Sequence, residues 1–378
     1  MYPEFVQLLY CDSVVNFAAF DKKCVDLLRR LDEGNIIFKA PKDWMEIKTI
    51  DMHTGGEPLR VIVDGFPSLK GSSVLEYRRC IKENYDYLRT TLMFEPRGHA
   101  DMYGCILLPP NDDDGDFGII FMHNEGYSTM CGHAIIAIST LAAEMKWINV
   151  KEGDNVIKID APCGRIISYV NVENEKITDV RFSCVPSFVI GLDRTVNVEG
   201  LGEVIYDLAY GGAFYAYVDI RKNQFQLDLT SENYRTIIEN GMKIKHAVMI
   251  KDKEIVHPYE SDLSFLYGVI FIGNPVTEGI DSRNVCVFAE GEVDRSPTGS
   301  GVSGRMAIHY ARKEISLREK MRIESITKSV FICSVSEEVN YGPYSAVIPQ
   351  VEGTAHITGM NTFVIDPKDP MKNGFILR

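Results

Sequence analysis

The strongest chemical signal in the sequence is Cys131-Gly132-His133, which precedes an apolar run with helical spacing. A cysteine at a helix N-terminus lies at the positive end of the helix dipole, which favours the thiolate. His133 could add positive charge or hold a substrate group. Free N–H groups of the first turn would bind a carboxylate, and Gly132 lets it approach. The run predicts a reactive thiol beside an anion site; the alternative is a buried structural cysteine.

A second polar segment, residues 294–301, precedes the other long run with helical character. Pro297 favours a turn, and the N–H groups of Gly299 and Ser300 would form another anion site. Asp294 could pair with a cationic amine, and its alternative is a solvated aspartate in a turn. This segment therefore predicts a second half of the same binding site.

Two other chemistries fit the sequence poorly. Residues 299–304 match G-x-G-x-x-G, but a dinucleotide site needs a strand that runs into the first glycine. Here the nearest predicted strand ends near Ala289, and an acidic turn intervenes. The polar loops at residues 51–58 and 97–102 match no standard zinc spacing, so we expect no metal and a structural or cleft-lining role for them.

Composition limits the partners and the compartment. The 378 residues include 40 Lys and Arg against 53 Asp and Glu, a net charge of −13 that disfavours nucleic acid and anionic membranes. No apolar stretch reaches the roughly 18 residues of a membrane span. Nine scattered cysteines form no C-x-x-C pair, and no secretory signal is recognisable. We therefore expect a cytoplasmic protein with reduced thiols.

The elements that must position these residues follow an α+β layout. Two long helices are predicted over residues 131–146 and 298–313. Short β-like runs bounded by glycine, proline or aspartate surround each of them. These runs cover residues 61–63, 104–108, 118–121, 156–159, 165–172, 180–184, 214–219, 269–272, 285–289, 331–335 and 346–351.

The two predicted helices begin alike, because each places a side chain with reactive potential before a glycine. We interpret this as a weak internal repeat, with chance similarity of short turns as the alternative. The predicted domains are residues 46–180 and 181–351, with residues 352–378 returning to the first. Residues 1–45 are predicted to be a helical extension, and a poorly ordered tail is the alternative.

Five segments together resemble the proline racemase superfamily. They are residues 51–60, 97–104, 130–134, 211–219 and 294–301, which occur in the order found in that family. The resemblance spans residues 46–366, and Met-Cys-Gly-His with Asp-Arg-Ser-Pro is its most specific part. It implies a fold like diaminopimelate epimerase: two similar domains, each a β-sheet wrapped around a central helix, with the active site between them. It implies no cofactor and no metal.

The resemblance also implies an activity. Racemases and epimerases of this superfamily use two cysteines on opposite sides of the substrate Cα; Cys131 matches the first, but Thr298 occupies the second position. A threonine hydroxyl is far less acidic than a thiol, so racemisation is disfavoured. The Cys/Thr pair resembles members that dehydrate trans-3-hydroxy-L-proline to Δ1-pyrroline-2-carboxylate, a lyase reaction of amino acid degradation. The site residues implied are Cys131 and Thr298 for catalysis, and Gly132, His133, Asp294, Gly299 and Ser300 for substrate binding.

Two other functions stay open at this level. One is a proline or hydroxyproline racemase or epimerase, with water or Thr298 as the second proton relay. The other is a non-catalytic protein that binds a cyclic amino acid. The expected partner is a small cyclic amino acid in every case, and a homodimer is a guess that no residue pattern supports.

Overall fold

Strands dominate the part of the chain that the computed structural model describes, residues 38–377. The helices predicted within residues 1–45 lie outside the described residues, and Glu46–Arg378 forms one compact unit. The strands are Met45–Thr54 (β1), Glu57–Asp64 (β2), Tyr103–Leu108 (β3), Phe117–His123 (β4), Gly153–Ala161 (β5), Gly164–Glu173 (β6), Lys176–Ser183 (β7), Ser187–Val198 (β8), Gly202–Tyr210 (β9), Phe214–Asp219 (β10), Leu266–Gly273 (β11), Ser282–Phe288 (β12), Glu292–Val293 (β13), Met321–Glu324 (β14), Val330–Tyr341 (β15), Tyr344–Gly353 (β16) and Ala355–Ile365 (β17). The helices are Val74–Asn84 (α1), Asp86–Met93 (α2), Gly132–Glu144 (α3), Tyr234–Lys251 (α4) and Gly299–Ala311 (α5).

Most neighbouring strands pair as antiparallel hairpins, including β1 with β2, β3 with β4, β8 with β9 and β15 with β16. Parallel pairs connect β2 with β3, β4 with β5, and β10 with β11. Strand β16 also pairs with both β7 and β8, and β17 pairs with β1. These pairings join the strands of the two halves into one hydrogen-bonded network.

Helices α3 and α5 lie at the centres of the two halves. Helix α3 is apolar nearly all round, which is typical of a helix enclosed on every side, and it is buried from Gly132 to Ala143. It packs on β2, β6, β7, β16 and β17, whereas α5 packs on β8, β9, β10, β15 and β16. Each half therefore wraps strands around one central helix, and both predicted central helices are confirmed to within two residues at each end.

The strand predictions are also confirmed, since every predicted run lies on an observed strand, two of them extending one residue beyond its end. The predicted layout, with one helix in each half, is incomplete, because the structure also contains α1, α2 and α4. Helix α4 buries Ile237, Ile244 and Val248 at helical spacing, against β8, β11 and β12. No helix within residues 38–377 is long and apolar enough to cross a membrane.

The two central helices meet at their N-termini through a pair of glycines. A Cβ atom built on Gly132 would lie 2.4 Å from the Cα of Gly299, and a Cβ on Gly299 would lie 2.4 Å from the Cα of Gly132. Carbon atoms cannot approach so closely without bonding, so neither position admits a side chain. This contact sets the distance between the residues that precede the glycines, Cys131 and Thr298.

Replacing Gly132 with alanine is predicted to push the two helix ends apart. We expect Gly132→Ala to lower the free energy of unfolding by about 1–3 kcal/mol, the usual cost of overpacking a core. Chemical denaturation measures this change. Gly359→Ala is the control, because a Cβ there would meet only one side-chain atom at 3.9 Å. Equal stability of the two variants would contradict the contact.

Candidate active site

A narrow pocket lies where α3 and α5 meet. All seven residues predicted from the sequence line it, and five further residues complete its wall. The seven are Cys131, Gly132, His133, Asp294, Thr298, Gly299 and Ser300, and the five are Tyr103, Met130, Tyr215, Tyr267 and Phe288. The structure thus brings the two halves of the predicted site together, while the roles of the residues remain predictions.

Cys131 is the residue that precedes α3, and its side chain lines the pocket. Only 4% of it is exposed, and burial raises the pKa of the thiol well above its ordinary value. The N–H of Ala134 and the hydroxyl of Tyr103 lower that pKa but do not compensate for burial. The expected thiolate is therefore wrong for the unliganded protein, because desolvation exceeds the effect of the helix N-terminus.

His133 lies beside the thiol, with its Nδ1 atom 3.1 Å from the Sγ of Cys131. Its Nε2 atom is 3.2 Å from the carbonyl oxygen of Pro58, which can only accept, so Nε2 carries the hydrogen and Nδ1 is the free base. Burial lowers the pKa of the ring to about 3. His133 is therefore neutral near pH 7 and adds no positive charge, so that of the two roles considered for it, holding a substrate group stays open; its Nδ1 atom is placed to accept a hydrogen bond from the thiol.

Aromatic side chains that sequence reasoning missed form most of the remaining wall. The ring of Tyr103 lies edge-on to His133, with 4.8 Å between ring centroids, and its hydroxyl is hydrogen-bonded to Ser128. The hydroxyl of Tyr215 lies 2.7 Å from the Oγ of Ser300. Tyr103 and Tyr215 fall inside segments 97–104 and 211–219, which carried the family resemblance. Their position in these segments was the sequence signal that could have assigned them to the site.

Thr298 precedes α5 in an unusual backbone conformation, with φ at 69° and ψ at 95°. A β-branched residue rarely adopts a positive φ, so the surrounding structure must hold it there. Its N–H donates to the Oγ of Ser296 at 3.1 Å. Its own hydroxyl is buried beside the Asp294 carboxyl and the Cys286 thiol, and it lowers the pKa of both groups. Thr298 lines the pocket, and whether its hydroxyl contacts a substrate stays a prediction.

Asp294 supplies the negative charge of the pocket. Its Oδ1 atom accepts a hydrogen bond of 2.7 Å from the N–H of Ser296, and only 5% of the residue is exposed. Burial raises the pKa of this carboxyl to about 6, while hydrogen bonds from Ser296 act in the opposite direction. Asp294 is therefore mostly ionised near pH 7 and can hold a cationic amine.

Glu57 is a second buried carboxyl next to Asp294. From the sequence it was predicted only to be part of the polar loop at residues 51–58. It follows the Gly55-Gly56 turn between β1 and β2 and is fully buried. Potential ligand atoms of Glu57, His133 and Asp294 all lie within 4.8 Å of one another. Both ring nitrogens of His133 already face other groups, so the three residues do not offer a ready metal site as they stand.

The first N–H groups of a helix have no acceptor within that helix. Two such sets converge on the pocket, at Gly132 and at Gly299 and Ser300. Together with the ionised Asp294, they match the carboxylate and the ammonium of an amino acid. The chemistry available at its Cα is proton transfer to and from Cys131.

The fold is of the α+β class, with one central helix in each half and a pocket where the two helices meet. The profile described as proline racemase matches residues 49–376, and the chain belongs to this family. The chain is 49% identical to a trans-3-hydroxy-L-proline dehydratase of Colwellia psychrerythraea, over 89% of this chain and 94% of that protein. It is 42% identical to a 3-hydroxyproline 2-epimerase of Burkholderia multivorans, over 88% of this chain and 98% of that protein.

Among solved structures, a hydroxyproline epimerase from Agrobacterium vitis with bound trans-4-hydroxy-L-proline is similar. It has a TM-score of 0.81 and 28% sequence identity, and the match covers 88% of this chain and 96% of that one. The expected family and fold class are thereby confirmed. The domain limits at residues 180 and 351 stay predictions.

Proposed function

We propose that the chain is a hydro-lyase that converts trans-3-hydroxy-L-proline into Δ1-pyrroline-2-carboxylate. The observation that carries the proposal is the single thiol in the pocket: Cys131 precedes one central helix and Thr298 precedes the other. The dehydratase relative that is 49% identical supports it. Inversion at Cα needs an acid/base group on each face of the ring, whereas this pocket has a thiol on one side only.

The stereochemistry of this substrate makes one thiol sufficient. In trans-3-hydroxy-L-proline the carboxylate and the 3-hydroxyl lie on opposite faces of the ring. The α-hydrogen is opposite the carboxylate, so it shares a face with the hydroxyl. One group on that face can therefore remove the α-proton and return it to the departing hydroxide, in a syn elimination.

Binding would place the substrate by its two charges. The carboxylate would accept from the N–H groups of Gly132, Gly299 and Ser300, and the ring ammonium would pair with Asp294. The ammonium lowers the barrier to loss of the α-proton, and the N–H groups stabilise the charge that develops on the carboxylate. Enclosure in a buried pocket strengthens both interactions.

Cys131 must lose its proton before it can act as a base. The Nδ1 atom of His133, 3.1 Å from the thiol, accepts a hydrogen bond from it and orients the sulfur, and the thiol proton leaves to solvent as the substrate binds. The ring ammonium supplies the positive charge that stabilises the thiolate, which the unliganded pocket lacks. The thiolate then takes the α-proton and the C3–O bond breaks. The thiol returns the proton to hydroxide, so that water leaves and the enamine product tautomerises to the imine.

Cys131→Ser is predicted to lower kcat by at least about 100-fold, because a serine hydroxyl is far too weak an acid to form the required base. Mass spectrometry of trans-3-hydroxy-L-proline incubated with each protein follows the loss of water. Cys80→Ser is the matched control, since Cys80 is a half-buried thiol on α1, outside the pocket. A Cys131→Ser protein with nearly wild-type kcat would overturn the proposal.

Thr298→Cys is predicted to create racemase activity, because it places a second thiol at the start of α5. Chiral chromatography would detect D-proline formed from L-proline by this variant. Thr298→Ser, which adds no thiol, should form none. A folded Thr298→Cys protein that leaves L-proline unchanged would contradict the one-thiol explanation. D-proline formation by the wild-type protein would instead favour a proline racemase.

A further inference from the structure

Glu57 lies next to Asp294, with carboxyl oxygens of the two residues within 4.8 Å of each other. The reaction proposed above gives Glu57 no role. One of its carboxyl oxygens, Oε2, accepts a hydrogen bond of 2.7 Å from the backbone N–H of Arg295. The other, Oε1, is fully buried and has no hydrogen-bond partner among the described residues. A buried carboxylate oxygen without a donor is costly, so this oxygen is expected to carry a proton or to face a cation.

The groups around Glu57 and Asp294 show whether the Oε1 atom of Glu57 carries a proton or faces a cation. The titratable or charged groups that face them are His133 from α3, Cys131 before it, Asp101 from the loop before β3, Cys286 from β12, and Arg295. His133 is neutral, and burial raises the pKa of both thiols, which keeps them protonated. The guanidinium of Arg295 lies 2.8 Å from Asp101 and is engaged there.

Two buried carboxyls this close cannot both ionise at little cost unless a cation joins them. We propose that Glu57 and Asp294 share one proton in the free protein and that Glu57 gives up this proton when the substrate ammonium binds to Asp294. Glu57 is then a positioning residue of the amine subsite, which it supplies with a second negative charge. This inference rests on the proposed function, because it takes the ligand to be a cyclic amino acid with a charged ring nitrogen.

The effect of burial on the pKa of Glu57 agrees with this assignment. Burial and the neighbouring Asp294 raise the pKa of Glu57 well above its ordinary value, with Arg295 acting in the opposite direction. The free pair therefore holds its proton near pH 7, mainly on Glu57. A cation beside Asp294 lowers both pKa values, so binding must release up to one proton per ligand. The release should vanish at a pH above the pKa of Glu57 in the free protein.

The test measures protons released on binding, which a merely structural role of Glu57 would not change. Trans-3-hydroxy-L-proline is titrated into Cys131→Ser protein at pH 7 in two buffers that differ in ionisation enthalpy. The serine variant prevents turnover and removes any contribution of the thiol. We expect proton release with this ligand, and none with pyrrole-2-carboxylate, whose ring nitrogen is neutral.

Adding Glu57→Gln to this background should remove the proton release, because glutamine keeps the acceptor for the N–H of Arg295 but cannot ionise. Glu324→Gln is the matched control: it replaces another fully buried glutamate, which pairs with Arg283 at 2.9 Å outside the pocket, and it should keep the release. In the enzyme with Cys131 intact, Glu57→Gln should raise KM more than it lowers kcat.

Two results would overturn the assignment. One is saturable binding of trans-3-hydroxy-L-proline to Cys131→Ser protein without proton release. The other is equal release with and without Glu57. If either occurs while the wild-type protein dehydrates the substrate, only the role of Glu57 fails. If neither ligand binds and the wild-type protein leaves the substrate unchanged, this inference and the proposed function fail together.

Discussion

The backbones of Gly132 and Gly299 lie in contact, and the site depends on this approach. It places two helix N-termini against each other, so that their unpaired N–H groups face one pocket. It also fixes Cys131 and Thr298 on the two sides of the contact. The strands that wrap α3 and α5 hold these helices in place, and β16 joins the two halves by pairing with strands of each.

A second constraint is that burial of the pocket limits which of its groups can be charged. The pocket and the Glu57 carboxyl beside it are so well buried that the Cys131 thiol, the His133 imidazole and Glu57 are neutral near pH 7, because charge is costly there. An amino acid brings both a positive and a negative charge into the pocket. The bound ligand then stabilises the thiolate and the ionised carboxyls that the free protein disfavours. In the proposed reaction the substrate therefore completes the electrostatics of its own site.

The local pattern of the sequence predicts the skeleton of this site well. A reactive side chain before a glycine, at the start of an apolar helix, was recognisable twice, and both helices begin at those glycines. The charge states of Cys131 and His133 were not predictable in the same way. The helix dipole is a local property, whereas desolvation depends on strands and loops that pack around the pocket from distant parts of the chain.

Glu57 and Tyr103 show the same limit. Each lies in a short polar segment whose composition suits a solvated loop as well as a buried position, and only tertiary packing places Tyr103 in the wall of the pocket and Glu57 beside Asp294. Helices α1, α2 and α4 were not predicted, because short β-like runs are frequent in the sequence around them. The buried residues of α4 do recur at helical spacing, so that element was within reach of a periodicity argument.

The most direct test of the central claim is proton NMR of the wild-type protein in D2O, with trans-3-hydroxy-L-proline and L-proline in separate samples. One thiol on one face predicts loss of the 3-hydroxyproline signals, appearance of the cyclic imine, and L-proline that keeps its configuration. Inversion at Cα without elimination would contradict the account and indicate an epimerase. Unchanged spectra in both samples, with saturable binding of the ligands, would indicate a protein that binds cyclic amino acids without acting on them.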